Sequence, residues 1–264
     1  MERLSGVSEL LDGPLDDRPT LVGNLRDLRR ANRWLGGARL SIKAVEAIAA
    51  QPGGDSAGDD PPGDDPAARP LTILDVGTGG ADIPLALLDH AARAGRRWTV
   101  IGLDSRPEVL EAAATADRRV TAARGLELHV GDGRSLPYPD GSIDVVHTSL
   151  MLHHLEPAEA RTLFVEMVRV ARRGVVVNDL VRGRLALFGA WSLAHLTTRN
   201  RFTRNDAPLS VRRAYTGAEL EAMTEAAGLR IVARHRAIAR HRVVLAAVPT
   251  VLAAAVSPAR PDRT

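Results

Sequence analysis

A glycine-rich loop is the first segment of this sequence whose residue types suggest a ligand site. Gly77, Gly79 and Gly80 stand close together after a short apolar run. Glycine lets the backbone turn sharply and approach a ligand without a Cβ atom in the way, and a helix that follows offers free N–H groups. Ala81 and Asp82 occupy the place of the third glycine in the dinucleotide pattern, and an acidic residue there would repel a pyrophosphate. The loop therefore favours a nucleoside ligand without phosphates over a dinucleotide.

Acidic residues follow the next two predicted strands. Asp104 ends the stretch WTVIGLD, where a carboxylate can accept hydrogen bonds from both hydroxyls of a ribose. Asp132 follows the stretch LELHV and can accept a hydrogen bond from the exocyclic amine of a base. Each aspartate alone is equally compatible with a helix cap or a strand end. Ligands of parallel sheets bind at the carboxyl ends of the strands, so the two aspartates and the loop together predict a nucleoside site.

His153 and His154 are a titratable pair directly after the fourth predicted strand. Histidine titrates near neutral pH, so either residue could take a phenolic or enolic proton from an acceptor. The alternative is that one or both are packed side chains that hold the loop in place. His195, in an apolar helix further along the chain, is a weaker candidate for the same role. No group of residues has the spacing of metal ligands, so the sequence predicts no metal.

Strand–helix alternation from Leu71 onward supplies the elements that would position these residues. Five apolar runs rich in β-branched residues indicate strands buried on both faces, and helical patterns between them predict a parallel sheet with helices on both sides. The runs are TILDV, WTVIGLD, LELHV, IDVVHTSL and GVVVND. Two closing runs, LRIVARHRAI and HRVVLAAV, are too close for a parallel crossover and must pair antiparallel. The predicted fold class is therefore α/β, a Rossmann-like seven-stranded mixed sheet with its last strand antiparallel.

Composition divides the chain into an N-terminal helical lid and a main domain. The lid is predicted at 1–50, with its second helix starting at Ser41, and an acidic linker rich in proline and glycine follows at 51–69. The domain is predicted at 70–250, and a tail occupies 251–264. Lid residues predicted to lie over the ligand are Asn32, Arg33 and Trp34.

Several function classes are excluded or disfavoured by composition. The absence of cysteine excludes disulfide scaffolds, thiolate zinc sites and cysteine nucleophiles. The pI of about 10.1 arises with a net charge of only +3, because Lys43 is the sole lysine and arginine does not titrate in this range. An aromatic content of 3% disfavours a single-stranded nucleic-acid binder. No segment resembles a signal peptide or a membrane span, so we expect a cytoplasmic protein.

An inserted segment after the fifth strand, residues 181–213, is predicted to be helical, with a helix around LALFGAWSLAHL, and it concentrates positive charge. It carries seven arginines and one acidic residue, a net charge of +6. Such a stretch is either a solvated surface or a cap that closes over an acceptor and pairs with its acid group. The residues predicted to contact an acceptor are Arg204, Arg213 and Tyr215, with Asn205 beside them.

Taken together, these segments resemble the class I S-adenosylmethionine (SAM)-dependent methyltransferases. The resemblance rests on LDVGTGGADIP, GLD, GDGRSLPYPDGSIDVVHTSLMLHHL and the closing strand pair, and it covers roughly residues 70–248. More narrowly, the chain is similar to small-molecule methyltransferases of the ubiquinone and menaquinone biosynthesis type. The tetrapeptide typical of DNA amine methylation is absent after the fourth strand, where SLMLHH stands instead.

The resemblance implies SAM as the cofactor and assigns roles to individual residues. Gly77 and Gly79 would line the methionine part, Asp104 the ribose and Asp132 the adenine amine. Two flanking residues, Gly133 and Ser149, and three neighbours, Asp75, Thr78 and Ser105, complete the predicted cofactor site.

The predicted function is SAM-dependent methylation of a small hydroxylated or enolic molecule, such as a phenol, a quinol or a polyketide-like compound, and O-methylation is preferred. The acceptor is expected to have phenolic or anionic character. Alternatives are C-methylation of a quinol-type ring, an RNA methyltransferase, an NAD-dependent oxidoreductase and a non-catalytic cofactor-binding protein. His154, and next to it His153, is the predicted catalytic residue.

Overall fold

The computed structural model describes residues 1–51, 70–237 and 240–250 of the 264-residue chain. Nearly all of the predicted linker at 51–69 and the whole predicted tail at 251–264 lie outside the described residues. Residue 238, at the end of one predicted strand, also lies outside them.

A seven-stranded sheet forms the centre of the molecule, with the strand order β3-β2-β1-β4-β5-β7-β6. The strands are β1 Leu71–Val76, β2 Trp98–Asp104, β3 Leu126–Val130, β4 Ile143–Ser149, β5 Ala171–Leu180, β6 Leu229–Arg236 and β7 Arg242–Pro249. The first five strands are parallel, and β7 runs antiparallel to both β5 and β6. The predicted fold class is confirmed. The strand order reverses between β1 and β4, which is where ligands bind in open sheets of this kind.

Nine helices of the described residues surround or extend this sheet. They are α1 Arg18–Trp34, α2 Gly37–Ala49, α3 Asp82–Arg93, α4 Pro107–Ala116, α5 Arg119–Ala122, α6 Pro157–Val170, α7 Arg184–Thr197, α8 Arg201–Arg213 and α9 Gly217–Ala226. Short 3₁₀ turns lie at Leu10–Asp12 and Leu152–His154.

Helices cover both faces of the sheet. Successive side chains along each strand point to opposite faces, so each strand contributes to two apolar clusters. Ile73 of β1 packs in a cluster with Val45 of α2 and Leu87 of α3, and none of these side chains is exposed. Its neighbour Leu74 packs on the other face with Leu163 of α6. The apolar runs of β1, β4 and β5 reflect this double burial. The prediction is wrong for β3, which lies at the edge of the sheet and has no fully buried residue.

Helix α2 begins at Gly37, four residues before the predicted start at Ser41. Gly36 adopts φ +82°, so the chain leaves α1 and enters α2 with hardly any loop. The fifth strand likewise begins at Ala171 rather than at the predicted Gly174, directly after α6.

The arginine-rich stretch at 198–213 contains a helix, α8, which the sequence did not indicate. The Asn200 side chain accepts hydrogen bonds from the backbone N–H groups of Phe202 and Thr203 and so caps its first turn. Phe202 and Val211 are buried. The stretch is therefore a half-buried helix and not a fully solvated surface.

Helix α7 packs against α8 and exposes much of its apolar surface. Leu185 and Leu196 are about 85% exposed, and Phe188 and Trp191 are more than half exposed. No helix in the described parts of the chain is long and apolar enough to cross a membrane.

Candidate functional site

The glycine-rich loop between β1 and α3 folds back against the end of β2. The backbone N–H groups of Gly77 and Thr78 both donate to the carbonyl oxygen of Leu103, at 2.8 and 2.9 Å. Gly77 has φ +72° and Gly79 has φ +52°, which favours glycine. A Cβ atom on Gly77 would lie 3.0 Å from the Met151 side chain, whereas nothing lies within 4 Å of one on Gly79. A ligand can therefore reach the loop backbone at Gly79.

Ala81 occupies the last glycine position of the pattern. Its φ of +52° costs a residue with a Cβ atom about 1 kcal/mol. Its methyl group is fully buried in an apolar cluster that includes Leu25 of α1 and Leu85 of α3. The methyl group of Ala81 is thus accommodated by packing at the start of α3.

Asp104 holds the loop from the end of β2. Its Oδ2 atom accepts a hydrogen bond from the backbone N–H of Gly79 and its Oδ1 atom from that of Arg106, each at 3.0 Å. Burial raises the pKa of Asp104 above its usual range. Each carboxylate oxygen has a second lone pair, so the residue can still accept the two hydroxyls of a ribose.

Asp75 lies beneath the loop rather than at its surface. Its Oδ2 atom accepts from the Thr78 hydroxyl at 2.8 Å, and its Oδ1 atom lies 2.6 Å from His147 Nδ1. The Nε2 atom of His147 is 2.8 Å from Ser41 Oγ, which also accepts a hydrogen bond from the Asn178 amide. Because all these side chains are buried, Asp75 and Thr78 are placed to shape the loop from below.

Asp132 faces solvent at the end of β3 and is paired with Arg134. Hydrogen bonds from the Arg134 side chain and backbone lower the pKa of Asp132. Arg134 also binds Glu159 at 2.7 Å, so a ligand amine would share Asp132 with this ion pair. A Cβ atom on Gly133 would lie 2.6 Å from the Val76 side chain, so the chain passes close to β1 here.

The two predicted serines differ in their surroundings. The hydroxyl oxygen of Ser149, at the end of β4, is buried and has no hydrogen-bond partner among the described residues. Ser105 is exposed after Asp104. Ser149 is therefore available to a ligand, while the structure gives Ser105 no special surroundings.

Helix α1 is joined to the start of α3 through a buried polar contact. Asn32 Nδ2 donates to Asp82 Oδ2 at 3.0 Å, and burial raises the pKa of Asp82. Of the three predicted lid residues, Asn32 is buried, while Arg33 and Trp34 are exposed. The contact of Asn32 with Asp82 therefore joins the predicted lid to the start of α3.

The histidines lie in a second polar group, which we call the acid–histidine cluster: Glu9, Asp12, His153, His154, Asp179 and Arg213. His153 Nδ1 is 2.7 Å from Asp179 Oδ1, and His154 Nδ1 is 2.8 Å from Asp12 Oδ1. Glu9 lies opposite both rings, with its carboxylate oxygens 3.8 Å from His153 Nε2 and 3.7 Å from His154 Nε2.

Burial and hydrogen bonding act differently on the acids of this cluster. Glu9 is only 4% exposed, and burial raises its pKa to about 7. Burial opposes ionisation of Asp12 and Asp179 too. Hydrogen bonds from His154 and Arg213 nevertheless lower the pKa of Asp12, and the attraction of His153 lowers that of Asp179.

The cluster also contains a candidate metal site that the sequence did not predict. Glu9, His153 and His154 each offer a ligand atom, and these atoms lie within 4.8 Å of one another. The sequence predicts no metal because Glu9 is 144 positions from His153. An acid at the end of the fifth strand, Asp179, repeats the pattern of Asp104 and could have been singled out, whereas nothing in the N-terminal segment marks Glu9 or Asp12.

Of the predicted acceptor contacts, only Arg213 lies in the cluster. It is buried, and it donates to Asp12 Oδ2 at 2.9 Å and to the carbonyl oxygen of His154 at 2.6 Å. Arg204 instead donates to the carbonyl oxygens of Thr198 and His195 at the end of α7.

The remaining candidates also have partners within the protein. The hydroxyl of Tyr215 donates to the carbonyl oxygen of Leu155 at 2.8 Å. The Asn205 amide donates to Asp206. His195 Nδ1 lies 2.9 Å from the carbonyl oxygen of Trp191, in the last turn of α7. A role for Arg204 and Tyr215 in contacting an acceptor stays a prediction.

Comparison with known proteins identifies the domain. Residues 74–177 match the family described as a methyltransferase domain. An uncharacterized methyltransferase of Synechocystis is 31% identical over 102 residues, which are 39% of this chain and 42% of that protein. A demethylmenaquinone methyltransferase of Bacillus licheniformis is 30% identical over 128 residues, 48% of this chain and 52% of that protein. The chain thus spans about half or less of the length of the curated relatives that it matches.

A solved structure extends the likeness in fold. The magnesium protoporphyrin IX methyltransferase of Synechocystis PCC 6803 with bound SAH superposes with a TM-score of 0.52 at 16% identity, over 80% of this chain and 84% of that one. The resemblance to the class I SAM-dependent methyltransferases is confirmed, and so is SAM as the cofactor.

Proposed function

We propose that this protein transfers a methyl group from SAM to a hydroxyl or enol oxygen of a small organic molecule. The observation that carries this proposal is the position of the acid–histidine cluster beside the glycine-rich loop. Met151 contacts the loop at Gly77, and the turn that carries His153 and His154 follows it directly. A nucleoside cradle and a group of proton-binding side chains therefore lie at the same end of the sheet.

The residues at the loop fit the cofactor. The open space over Gly79 lies beside Asp104, whose free lone pairs suit ribose hydroxyls. The unpartnered hydroxyl of Ser149 is a further donor or acceptor for the ligand. Bound there, SAM supplies a methyl group made electrophilic by the sulfonium charge.

The cluster would receive the acceptor at the other end of the site. O-methylation would form a bond from the acceptor oxygen to the methyl carbon as the bond from carbon to sulfur breaks and leaves S-adenosylhomocysteine. The proton of the acceptor oxygen would pass to His154. His154 is about 20% exposed and His153 about 3%, so His154 is the better placed of the two predicted catalytic residues to meet an acceptor. The protein's main contribution would be to align the two reactants and exclude water.

Phenols, quinols and enolic compounds are the acceptors that we propose to test first. A relative named demethylmenaquinone methyltransferase supports a quinol-type ring, on which C-methylation is the alternative. An anionic group on the acceptor has less support, because Arg204 and Arg213 already bind groups of the protein.

Two measurements test this function. Isothermal titration with SAM should give one site per chain, and Asp104→Ala should weaken the affinity by at least ~10-fold, since a ribose hydrogen-bond pair is worth more than about 1.4 kcal/mol. Asp140→Ala, at an exposed acid of the same type, is the control. Transfer of a labelled methyl group to the acceptor panel is then measured. Unchanged SAM affinity in Asp104→Ala would sink the cofactor assignment, and the absence of transfer to every acceptor would contradict the reaction.

A further inference from the structure

Glu9, His153 and His154 point their ligand atoms at a common space inside the acid–histidine cluster. The distances from the Glu9 oxygens to the two Nε2 atoms, 3.7 and 3.8 Å, are too long for hydrogen bonds. They leave room for one small species between the three side chains.

The hydrogen bonds on the far side of each ring determine what faces this space. His153 Nδ1 bonds to Asp179 and His154 Nδ1 bonds to Asp12. A carboxylate only accepts, so each Nδ1 carries the proton, and in the neutral ring the Nε2 lone pair is directed at Glu9. Histidines that bind metals in proteins are oriented in this way, by a carboxylate on the opposite nitrogen.

An unpartnered atom of Glu9 is independent evidence that this space binds a ligand. Its Oε1 atom is buried and has no hydrogen-bond partner among the described residues, whereas Oε2 accepts from the Ser210 hydroxyl at 2.9 Å. Arg213 Nη1 is 3.6 Å from Oε1 but donates to Asp12 Oδ2 at 2.9 Å. A buried carboxylate oxygen without a donor is costly, and a cation would remove that cost.

The charges and donor atoms select the kind of cation. Ionised Glu9, Asp12 and Asp179 carry three negative charges around the space, and Arg213 opposes them with one positive charge. Magnesium and calcium prefer oxygen ligands, whereas two imidazoles and one carboxylate suit zinc and related first-row metals. Three protein ligands also leave a coordination position open for water or a substrate oxygen.

We propose that Glu9, His153 and His154 bind one divalent cation of the zinc class, and that Asp179 and Asp12 are positioning residues for the two histidines. Binding itself does not depend on the proposed function. One consequence does rest on it: the acceptor oxygen would occupy the open position and release its proton to solvent at a lower pH, in place of proton transfer to His154.

The test uses the untagged full-length chain after removal of metals with EDTA. Isothermal titration with Zn²⁺ should show one site per chain, and Mg²⁺ should show none of comparable affinity. Glu9→Gln and His154→Ala should each weaken Zn²⁺ binding by at least ~10-fold, and Asp12→Asn by about 10-fold through the orientation of His154. His195→Ala removes a histidine outside the cluster and should leave the affinity unchanged.

Circular dichroism and SAM titration of each variant distinguish a lost site from a lost fold. The proposal is overturned if the wild-type chain binds no stoichiometric Zn²⁺, or if His195→Ala weakens binding as much as His154→Ala does. Intact SAM binding in that case would leave the methyltransferase proposal standing with a histidine as the base. Stoichiometric Zn²⁺ binding without SAM binding would support the metal site and count against the proposed reaction.

Discussion

His147 Nδ1 lies 2.6 Å from Asp75 Oδ1, and this buried hydrogen bond joins β4 to β1 beneath the glycine-rich loop. The two residues are register partners in adjacent parallel strands. Asp75 also accepts from the Thr78 hydroxyl, so the bond connects the sheet to the glycine-rich loop.

Asp75→Ala should lower both stability and SAM affinity. The change leaves His147 buried without its acceptor, which costs about 3 kcal/mol, and it removes the anchor of Thr78. Urea unfolding measures the first effect and titration with SAM the second. Asp140→Ala, at an exposed position, should change the free energy of unfolding by less than about 0.5 kcal/mol. Equal stability of the two variants would show that the buried bond contributes nothing.

Gly77→Ala should impair SAM binding beyond its effect on stability. Gly77 has φ +72°, so a Cβ atom costs about 1–2 kcal/mol in backbone strain, and it would also press on Met151 at 3.0 Å. Gly95 has φ +65° and open space around it, between α3 and β2. Gly95→Ala is therefore a control with the same strain and no contact with the loop. A similar loss of SAM affinity in both variants would contradict the role given to Gly77.

SAM affinity should fall on acidification at a higher pH than an ordinary aspartate would require. In the proposed site the ribose hydroxyls would donate to ionised Asp104. Burial raises the pKa of this residue, so it takes up its proton at a higher pH than an ordinary aspartate does. Titration of SAM at several pH values below 7 measures this, with Asp104→Asn as the comparison that lacks the titrating group. An identical pH profile in both proteins would contradict it.

The same raised pKa has the opposite effect on stability without SAM. Because folding favours protonated Asp104, its contribution to the free energy of unfolding is fully present below the unfolded pKa. It is lost as the pH rises through the folded pKa. As the pH rises through this range, the free energy of unfolding of the SAM-free chain, measured with urea, should fall less in Asp104→Asn than in the wild type.

Tyr215→Phe should reduce stability by about 1 kcal/mol and leave acceptor kinetics unchanged. The hydroxyl of Tyr215 donates to the carbonyl oxygen of Leu155, and its removal deletes one buried hydrogen bond. The KM of whichever acceptor the labelled-methyl assay identifies is the deciding measurement. A raised KM with unchanged kcat would instead support the sequence-based prediction that Tyr215 contacts the acceptor.

Local patterns in the sequence were sufficient for most of the fold. Strands β2 and β3 have the bounds that their sequence runs predicted. Helix α8 escaped prediction because four of its thirteen residues are arginines and Pro208 lies inside it. The Asn200 cap is a local contact, but burial of Phe202 in a cluster with residues of α1 is a tertiary contact that the sequence does not show.

The residues proposed to bind the cofactor could also be identified from the sequence. Gly77, Gly79 and Asp104 lie at the ends of consecutive strands, so the topology of a parallel sheet alone brings them to one edge. Beneath them, His147 follows two valines in a buried strand, which is a visible signal in the sequence. Its partner Ser41 was not, because that residue comes from α2, over 100 positions away.

The sequence by itself thus determined the sheet, its helical layers and the glycine-rich loop, because each depends on residues close together in the chain. Only the tertiary structure decided the surroundings of His153 and His154. Glu9 and Asp12 reach them from the N-terminal segment, and Asp179 from the end of β5. Such contacts form because the packed elements bring distant chain segments together, and the spacing of residues in the sequence does not predict them.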